Sequence, residues 1–125
     1  MANKFKEKGN DELRLKTKDG FKKSAKSYSR GMAHLLEHPE ANTPGSQPRL
    51  LLSVMYANRA QAELSSKNYG RACADALASL RCDPTNVKAY FRVAKGCNAL
   101  DKWEQAVGFC RQGLKQEGIS EDAAG

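Results

Sequence analysis

Long apolar runs, paired-cysteine motifs and proline are all scarce in this 125-residue sequence, and each shortage excludes a class of protein. Apolar runs are only a few residues long, whereas a membrane-spanning helix needs roughly 20 apolar residues in succession. Four prolines and an apolar content of 40% do not fit a collagen-like or disordered chain. The composition instead indicates one folded domain, residues 1–125, with a continuous core.

The four cysteines form no CxxC motif and have no histidine close by in the sequence. We therefore interpret them as reduced thiols in the core of a cytoplasmic protein, with the nucleus as a second location. His34 and His38 lack an acidic or cysteine partner, so a surface pair explains them better than a zinc site does. We expect no metal and no cofactor. No catalytic triad, phosphate-binding loop or pair of catalytic acids is apparent either, so we do not expect an enzyme.

Positive charge exceeds negative charge, with 21 Lys and Arg against 14 Asp and Glu and a net charge of +7. This excess favours an acidic partner without identifying it. A nucleic-acid-binding protein would be expected to interleave basic residues with exposed aromatic residues or to carry a known motif. Here the basic residues are spread along the chain and are densest between Lys4 and Lys26, which is typical of solvated helix faces.

Three residue pairs recur at a spacing of 34 and contain the strongest structural signal in the sequence. They are Tyr56 with Tyr90, Ala60 with Ala94, and Ala72 with Ala106. This period is typical of tetratricopeptide repeats, in which each repeat is a pair of helices. The sequence therefore predicts an all-α fold of three tandem helix–turn–helix repeats, wound as a right-handed superhelix around a concave groove.

The three predicted repeats differ in length. Repeat 1 covers about 2–37, repeat 2 about 53–86 and repeat 3 about 87–120. Gly9 stands in repeat 1 where Ala60 and Ala94 stand in the other two. Residues 38–48 hold three of the four prolines, and they are predicted to form a loop or, in part, to extend the flanking helices.

The last predicted helix has no apparent cover. Helical arrays need a final helix with a polar outer face, and none is visible after Lys115. We therefore expect this chain to be a fragment without its capping helix and carboxy-terminal domain. Val107, Cys110 and Leu114 would then lack a cover, and the fragment is expected to self-associate through this helix. Tyr28, Tyr69 and Trp103 fall at helix-packing positions and are expected in the core.

Positions 2, 5, 6 and 9 in the first helix of each repeat are expected to line the groove, because they point away from the packing positions. Lys6 and Asn10 are four residues apart on one helix, so they project side by side. Lys88 and Arg92 have the same spacing on another helix, and Asn58 lies on the helix between. Cations and amide donors in this arrangement suit an extended peptide rich in carboxylates.

Three segments resemble those of the carboxylate-clamp tetratricopeptide domains. They are Lys6–Asn10, Tyr56–Ala60 and Lys88–Arg92. The resemblance implies binding of the Glu-Glu-Val-Asp tails of heat-shock protein 90 and heat-shock protein 70. It further implies that Lys6, Asn10 and Asn58 hold the terminal carboxylates, and that Lys88 and Arg92 grip upstream groups.

Within this class the chain is most similar to the tetratricopeptide repeat domain 4 family, which includes the yeast co-chaperone that suppresses loss of a cyclophilin. The likeness lies in Leu51–Leu64, Lys67–Tyr69 and Asn86–Lys95. Leu13, Gln61, Phe91 and Lys95 are predicted secondary groove residues, although helix packing explains Leu13 and Phe91 equally well. Two other functions are compatible with the sequence: a scaffold whose groove binds an internal peptide segment, and an RNA- or ribosome-associated protein that uses its outer basic surface.

Overall fold

The computed structural model of the protein describes residues 2–14 and 18–118, and that part of the chain forms six α-helices without a β-strand. The helices are α1 (Ala2–Arg14), α2 (Lys18–Leu36), α3 (Gln47–Ser65), α4 (Tyr69–Cys82), α5 (Val87–Ala99) and α6 (Trp103–Gln116). The all-α prediction is confirmed. The predicted end of repeat 3, near residue 120, lies outside the described residues.

Each helix packs against the next one along the chain, and the odd-numbered helices also contact each other. Contacts join α1 to α3 and α3 to α5, so these three helices form one continuous layer. This layer presents a shared surface to which every repeat contributes its first helix. In the described ranges, no helix has both the length and the hydropathy that crossing a bilayer requires.

The connection between α2 and α3 is a chain of tight turns that folds back onto the core. Ala41 is buried there and belongs to the same core cluster as Met55 of α3. Ser46 caps α3 by accepting a hydrogen bond from the Arg49 N–H through its hydroxyl oxygen. Pro48 lies in the first turn of α3 and not in the loop, because the first turn needs no N–H donor there. The helix thus begins a few residues before the predicted start of repeat 2.

Helices α1 and α2 approach each other closely at Gly9. A Cβ atom at this position would lie 2.5 Å from Cε1 of Tyr28, whose side chain is fully buried. Ala60 and Ala94 occupy the equivalent positions in the other repeats and are also buried. Repeat 1 needs glycine because its second helix brings a tyrosine ring to a place where α4 has the small Ala76.

A buried polar network joins α3, α4 and the start of α5. Ser53 and Ser79 each donate to the backbone carbonyl of the other, at 2.9 and 2.7 Å. The Asn86 side chain donates to both serine hydroxyls and also caps α5 by accepting from the Ala89 N–H. Since buried polar groups are costly unless they are paired, this network fixes α5 against the α3–α4 pair.

An ion pair also ties α3 to α4, and on α4 it lies one helical turn from the network. The Arg59 guanidinium binds the Asp75 carboxylate through two hydrogen bonds of 2.7 Å, and its third nitrogen donates to Ser29 of α2. Glu63 is placed one turn beyond Arg59. Burial, followed by a hydrogen bond with Asp75 and the negative charge of Asp75, raises the pKa of Glu63 to about 8.

We expect the substitution Gly9→Ala to lower the free energy of unfolding. Overpacking against the buried Tyr28 ring costs about 1–3 kcal/mol, which exceeds the gain of about 1 kcal/mol from the better helix propensity of alanine. Gly108→Ala in α6 is the matched control, since no atom lies within 4 Å of its new Cβ. Urea unfolding should show the control stabilised, and a stabilised Gly9→Ala variant would contradict the packing argument.

Glu63 is expected to make stability fall as pH rises. Its carboxyl binds a proton more tightly in the folded state than in the unfolded state, where the pKa is near 4.5, so the free energy of unfolding decreases between pH 4.5 and about 8. Glu63→Gln should flatten this decrease in urea titrations across that window. Glu104→Gln, at an exposed position, should leave the slope unchanged. An equal slope in wild type and Glu63→Gln would refute the assignment.

Candidate functional site

The layer formed by α1, α3 and α5 contains a cavity of about 520 Å³, which we call the basic cavity. It is lined by Lys6, Asn10, Leu13, Val54, Asn58, Lys88 and Arg92. All five predicted clamp residues therefore meet in one place, together with the secondary residue Leu13. None of the described residues that line it is acidic, so three cations share the cavity without a carboxylate from this part of the chain.

Helical spacing explains how three separate helices supply these side chains. Lys6 and Asn10 are four residues apart on α1, and Leu13 follows three residues later. The same interval of four separates Val54 from Asn58 on α3. Residues at these intervals share one face of a helix. Each helix thus contributes one stripe to the basic cavity, and the contacts between the helices bring the stripes together.

The two amide side chains of the basic cavity are joined by one hydrogen bond. The Asn58 amide nitrogen donates to Oδ1 of Asn10 at 3.4 Å. The Tyr28 hydroxyl donates to the same oxygen from the core side. With its oxygen occupied twice, Asn10 has its NH2 group left to offer to a ligand.

Tyr28 belongs to the core as predicted, but its contact with Asn10 was not anticipated from the sequence. The ring is fully buried between α1 and α2, and only its hydroxyl reaches the site. A signal was present in the repeat alignment. Tyr28 stands where repeats 2 and 3 have Ala76 and Cys110, so it is the only one of the three with a long side chain that ends in a hydroxyl.

Arg92 is half-buried, and its guanidinium is not fully paired. Its Nε and Nη1 atoms are buried and have no hydrogen-bond partner among the described residues. Burial lowers the pKa of this guanidinium below its ordinary value. Buried donors without acceptors are unfavourable. An anion bound in the basic cavity would supply the missing acceptors.

The other predicted secondary residues lie outside the basic cavity. Gln61 is half-buried and does not line it. Phe91 and Lys95 line a separate groove of about 620 Å³ between α5 and α6, which we call the α5–α6 groove. They flank Arg92 in the sequence, but they lie on the side of α5 that faces α6. The helical period places them beside Lys88 and Arg92 on the surface of α5. The position of α6 then decides which groove they enter.

The α5–α6 groove is largely apolar and open. Trp103 is 63% exposed and Val107 is 49% exposed. The prediction that Trp103 lies in the core is wrong, because α6 is the last described helix and no described element packs on that side of the tryptophan. Leu114 also lines this groove and is half-buried.

We expect the domain to self-associate weakly through the α5–α6 groove, since exposed apolar surface of this kind favours association. Sedimentation velocity over a range of protein concentrations should show a rising average mass. Val107→Lys should suppress the association, because it adds a charge to the apolar face. Gln112→Lys, on the same helix but outside that groove, is the control for the added charge. A wild-type domain that stays monomeric would contradict this expectation.

No group of three or more His, Cys, Asp or Glu side chains suited to a metal ion occurs in residues 2–14 and 18–118. The three cations of the basic cavity are hydrogen-bond donors, and their positive charge disfavours a metal ion there. Their arrangement suits an oxygen-rich anion, and carboxylate is the anion that a peptide offers most often.

Comparison with known proteins yields homologues but no matching family model. The chain is 36% identical over 106 residues to the Hsp70/Hsp90 co-chaperone CNS1 of Saccharomyces cerevisiae, covering 85% of this chain and 24% of that protein. It is 32% identical over 115 residues to tetratricopeptide repeat protein 4 of Mus musculus, covering 92% of this chain and 26% of that protein. The chain thus spans about a quarter of the length of these relatives.

A solved structure has the same fold. It is the first tetratricopeptide domain of Spaghetti (RPAP3) bound to the HSP90 peptide SRMEEVD. The TM-score is 0.76 at 24% sequence identity, and the match covers 98% of this chain and 86% of the other. At this level of identity the likeness establishes the fold, which is that of a tetratricopeptide array.

Proposed function

We propose that this tetratricopeptide domain, a homologue of one segment of CNS1 and of tetratricopeptide repeat protein 4, captures the acidic carboxy-terminal tails of heat-shock protein 90 and heat-shock protein 70. One observation carries the proposal. Three cations and two amides line a single cavity, and no carboxylate stands among the described residues that line it. Such a set of donors fits a peptide end with clustered carboxylates.

The proposed mechanism divides the basic cavity into two parts. Lys6, Asn10 and Asn58 hold the carboxylates of the last aspartate, since one ammonium and two amides offer donors to four oxygens. Lys88 and Arg92 hold oxygens further along the peptide. The unpaired Nε and Nη1 of Arg92 gain acceptors on binding, which links the burial of this side chain to recognition.

The binding strength is expected to be modest. A short flexible tail loses conformational freedom when it is ordered, so we expect a dissociation constant on the order of micromolar, or about −8 kcal/mol. Lys6 and Lys88 lie in an open cavity, and salt should therefore weaken the interaction by screening. In this role the domain is an adaptor of the cytoplasm and not an enzyme, as the naming of CNS1 as a co-chaperone supports.

Arg92→Ala and Lys88→Ala are each expected to abolish measurable binding of the peptide Ser-Arg-Met-Glu-Glu-Val-Asp in isothermal titration calorimetry. Each variant removes a charged donor from the basic cavity, and losing a charge-assisted contact costs about 1.5–3 kcal/mol. Lys26→Ala is the matched control, because it removes the same charge from an exposed position on α2. Undiminished binding by Arg92→Ala would refute the clamp.

The same titration separates the alternative functions. A peptide with an amidated carboxy terminus lacks the terminal carboxylate, so a clamp should lose most of its affinity, whereas a groove for internal segments should not. RNA is the other alternative partner, since the net charge of +7 favours an acidic partner without identifying it. Filter binding tests it: sequence-independent RNA binding that survives Arg92→Ala would support the outer basic surface as the functional site.

A further inference from the structure

We propose that Tyr28 is a positioning residue for carboxylate recognition, because its hydroxyl holds the Asn10 amide with the NH2 group towards the ligand. The inference rests on the proposed function, which it deepens. Tyr28 lies on α2, and none of the described side chains of this helix lines the basic cavity. It acts through Asn10 and does not touch the peptide.

The position of the Tyr28 hydroxyl is fixed by packing. The ring is fully buried and lies against Gly9, where even one added carbon would be only 2.5 Å away. A ring held in this way has little freedom to move its hydroxyl. The hydroxyl donates to Oδ1 of Asn10, the residue next to Gly9 in the chain. The glycine therefore serves two purposes: it admits the ring, and it brings the hydroxyl to the neighbouring amide.

A second donor to Oδ1 of Asn10 further favours one orientation of the Asn10 amide. Asn58 donates to the same oxygen through its own NH2 group. Turning the Asn10 amide by half a revolution would place its NH2 group against the Asn58 NH2 group. The same turn would aim the Asn10 carbonyl oxygen at the peptide carboxylate. Two donors on one oxygen thus disfavour the orientation that repels the ligand.

Pre-organisation explains why a buried tyrosine matters to a surface site. Asparagine on an exposed helix face samples several side-chain orientations, and binding must then restrict it to one. The Tyr28 hydroxyl makes this restriction before the peptide arrives. Asn58 alone is a weaker restraint, since its bond to Oδ1 is long at 3.4 Å.

A double-mutant cycle tests the inference with the peptide Ser-Arg-Met-Glu-Glu-Val-Asp. Tyr28→Phe keeps the ring and removes only the hydroxyl, and we expect it to weaken binding by about three- to tenfold. In the Asn10→Ala background the same change should cost no further affinity, because the amide to be positioned is gone. A purely structural role would instead lower affinity equally in both backgrounds.

Tyr90→Phe is the matched control. The Tyr90 hydroxyl is also part-buried and donates to the Pro84 carbonyl at 2.7 Å, away from the basic cavity. We expect this variant to lose similar stability in thermal unfolding and to keep its affinity. A loss of affinity equal to that of Tyr28→Phe would overturn the inference, because it would attribute the effect to stability.

A second measurement needs no variant of Tyr28. In ¹⁵N-resolved NMR of the wild-type domain, the side-chain NH2 signals of Asn10 should shift on adding the peptide, and those of Asn68, which lies outside the cavity, should not. An Asn10 signal that does not respond overturns the inference. If the wild-type domain binds no peptide at all, the proposed function and the inference both fall. Binding without coupling between Tyr28 and Asn10 removes the inference alone.

Discussion

The close approach of paired helices is the constraint on which the groove depends. Gly9, Ala60 and Ala94 lie where the two helices of each pair come together, and all three positions are buried. Helices approach closely only where the side chains between them are small. Larger residues would move α1, α3 and α5 relative to their partners, and these three helices carry all the described side chains that line the basic cavity.

The buried network of Ser53, Ser79 and Asn86 fixes the relative positions of the helices that pack in this way. Apolar contacts tolerate small sliding movements, whereas hydrogen bonds require particular distances and angles. Asn86 bonds both serines and caps the helix that begins next to it. Lys88 follows Asn86 by two residues, and Asn58 follows Ser53 by five. The network thus helps to set the separation of Lys88 from Asn58 in the basic cavity.

Periodicity in the sequence predicted the helix pairs and the residues of the cavity, but not the neighbours of each helix. The 34-residue spacing and the intervals of four suffice to predict that Lys6 and Asn10 project side by side, and that Lys88 and Arg92 do the same. These spacings do not distinguish the residues of the basic cavity from Phe91 and Lys95, which lie in the α5–α6 groove. A helical angle describes one helix alone, and which groove a side chain enters depends on the helices around it. The contact of Tyr28 with Asn10 could not be predicted from the sequence for the same reason, since it joins one helix to the next.

Chemical asymmetry on a repeated backbone gives the groove its polarity. Asn58 and Arg92 occupy the same position in successive repeats, yet one is an amide and the other a guanidinium. One N–H of the Asn58 amide is already used within the protein, on Asn10. Arg92 has two buried nitrogens without a partner. At the α5 end, an anion would be stabilised by positive charge and by buried donors without partners. At the α1 end, it would be stabilised by oriented amides beside Lys6. The two ends of a peptide segment meet different chemistry, so such a groove favours one chain direction over the other.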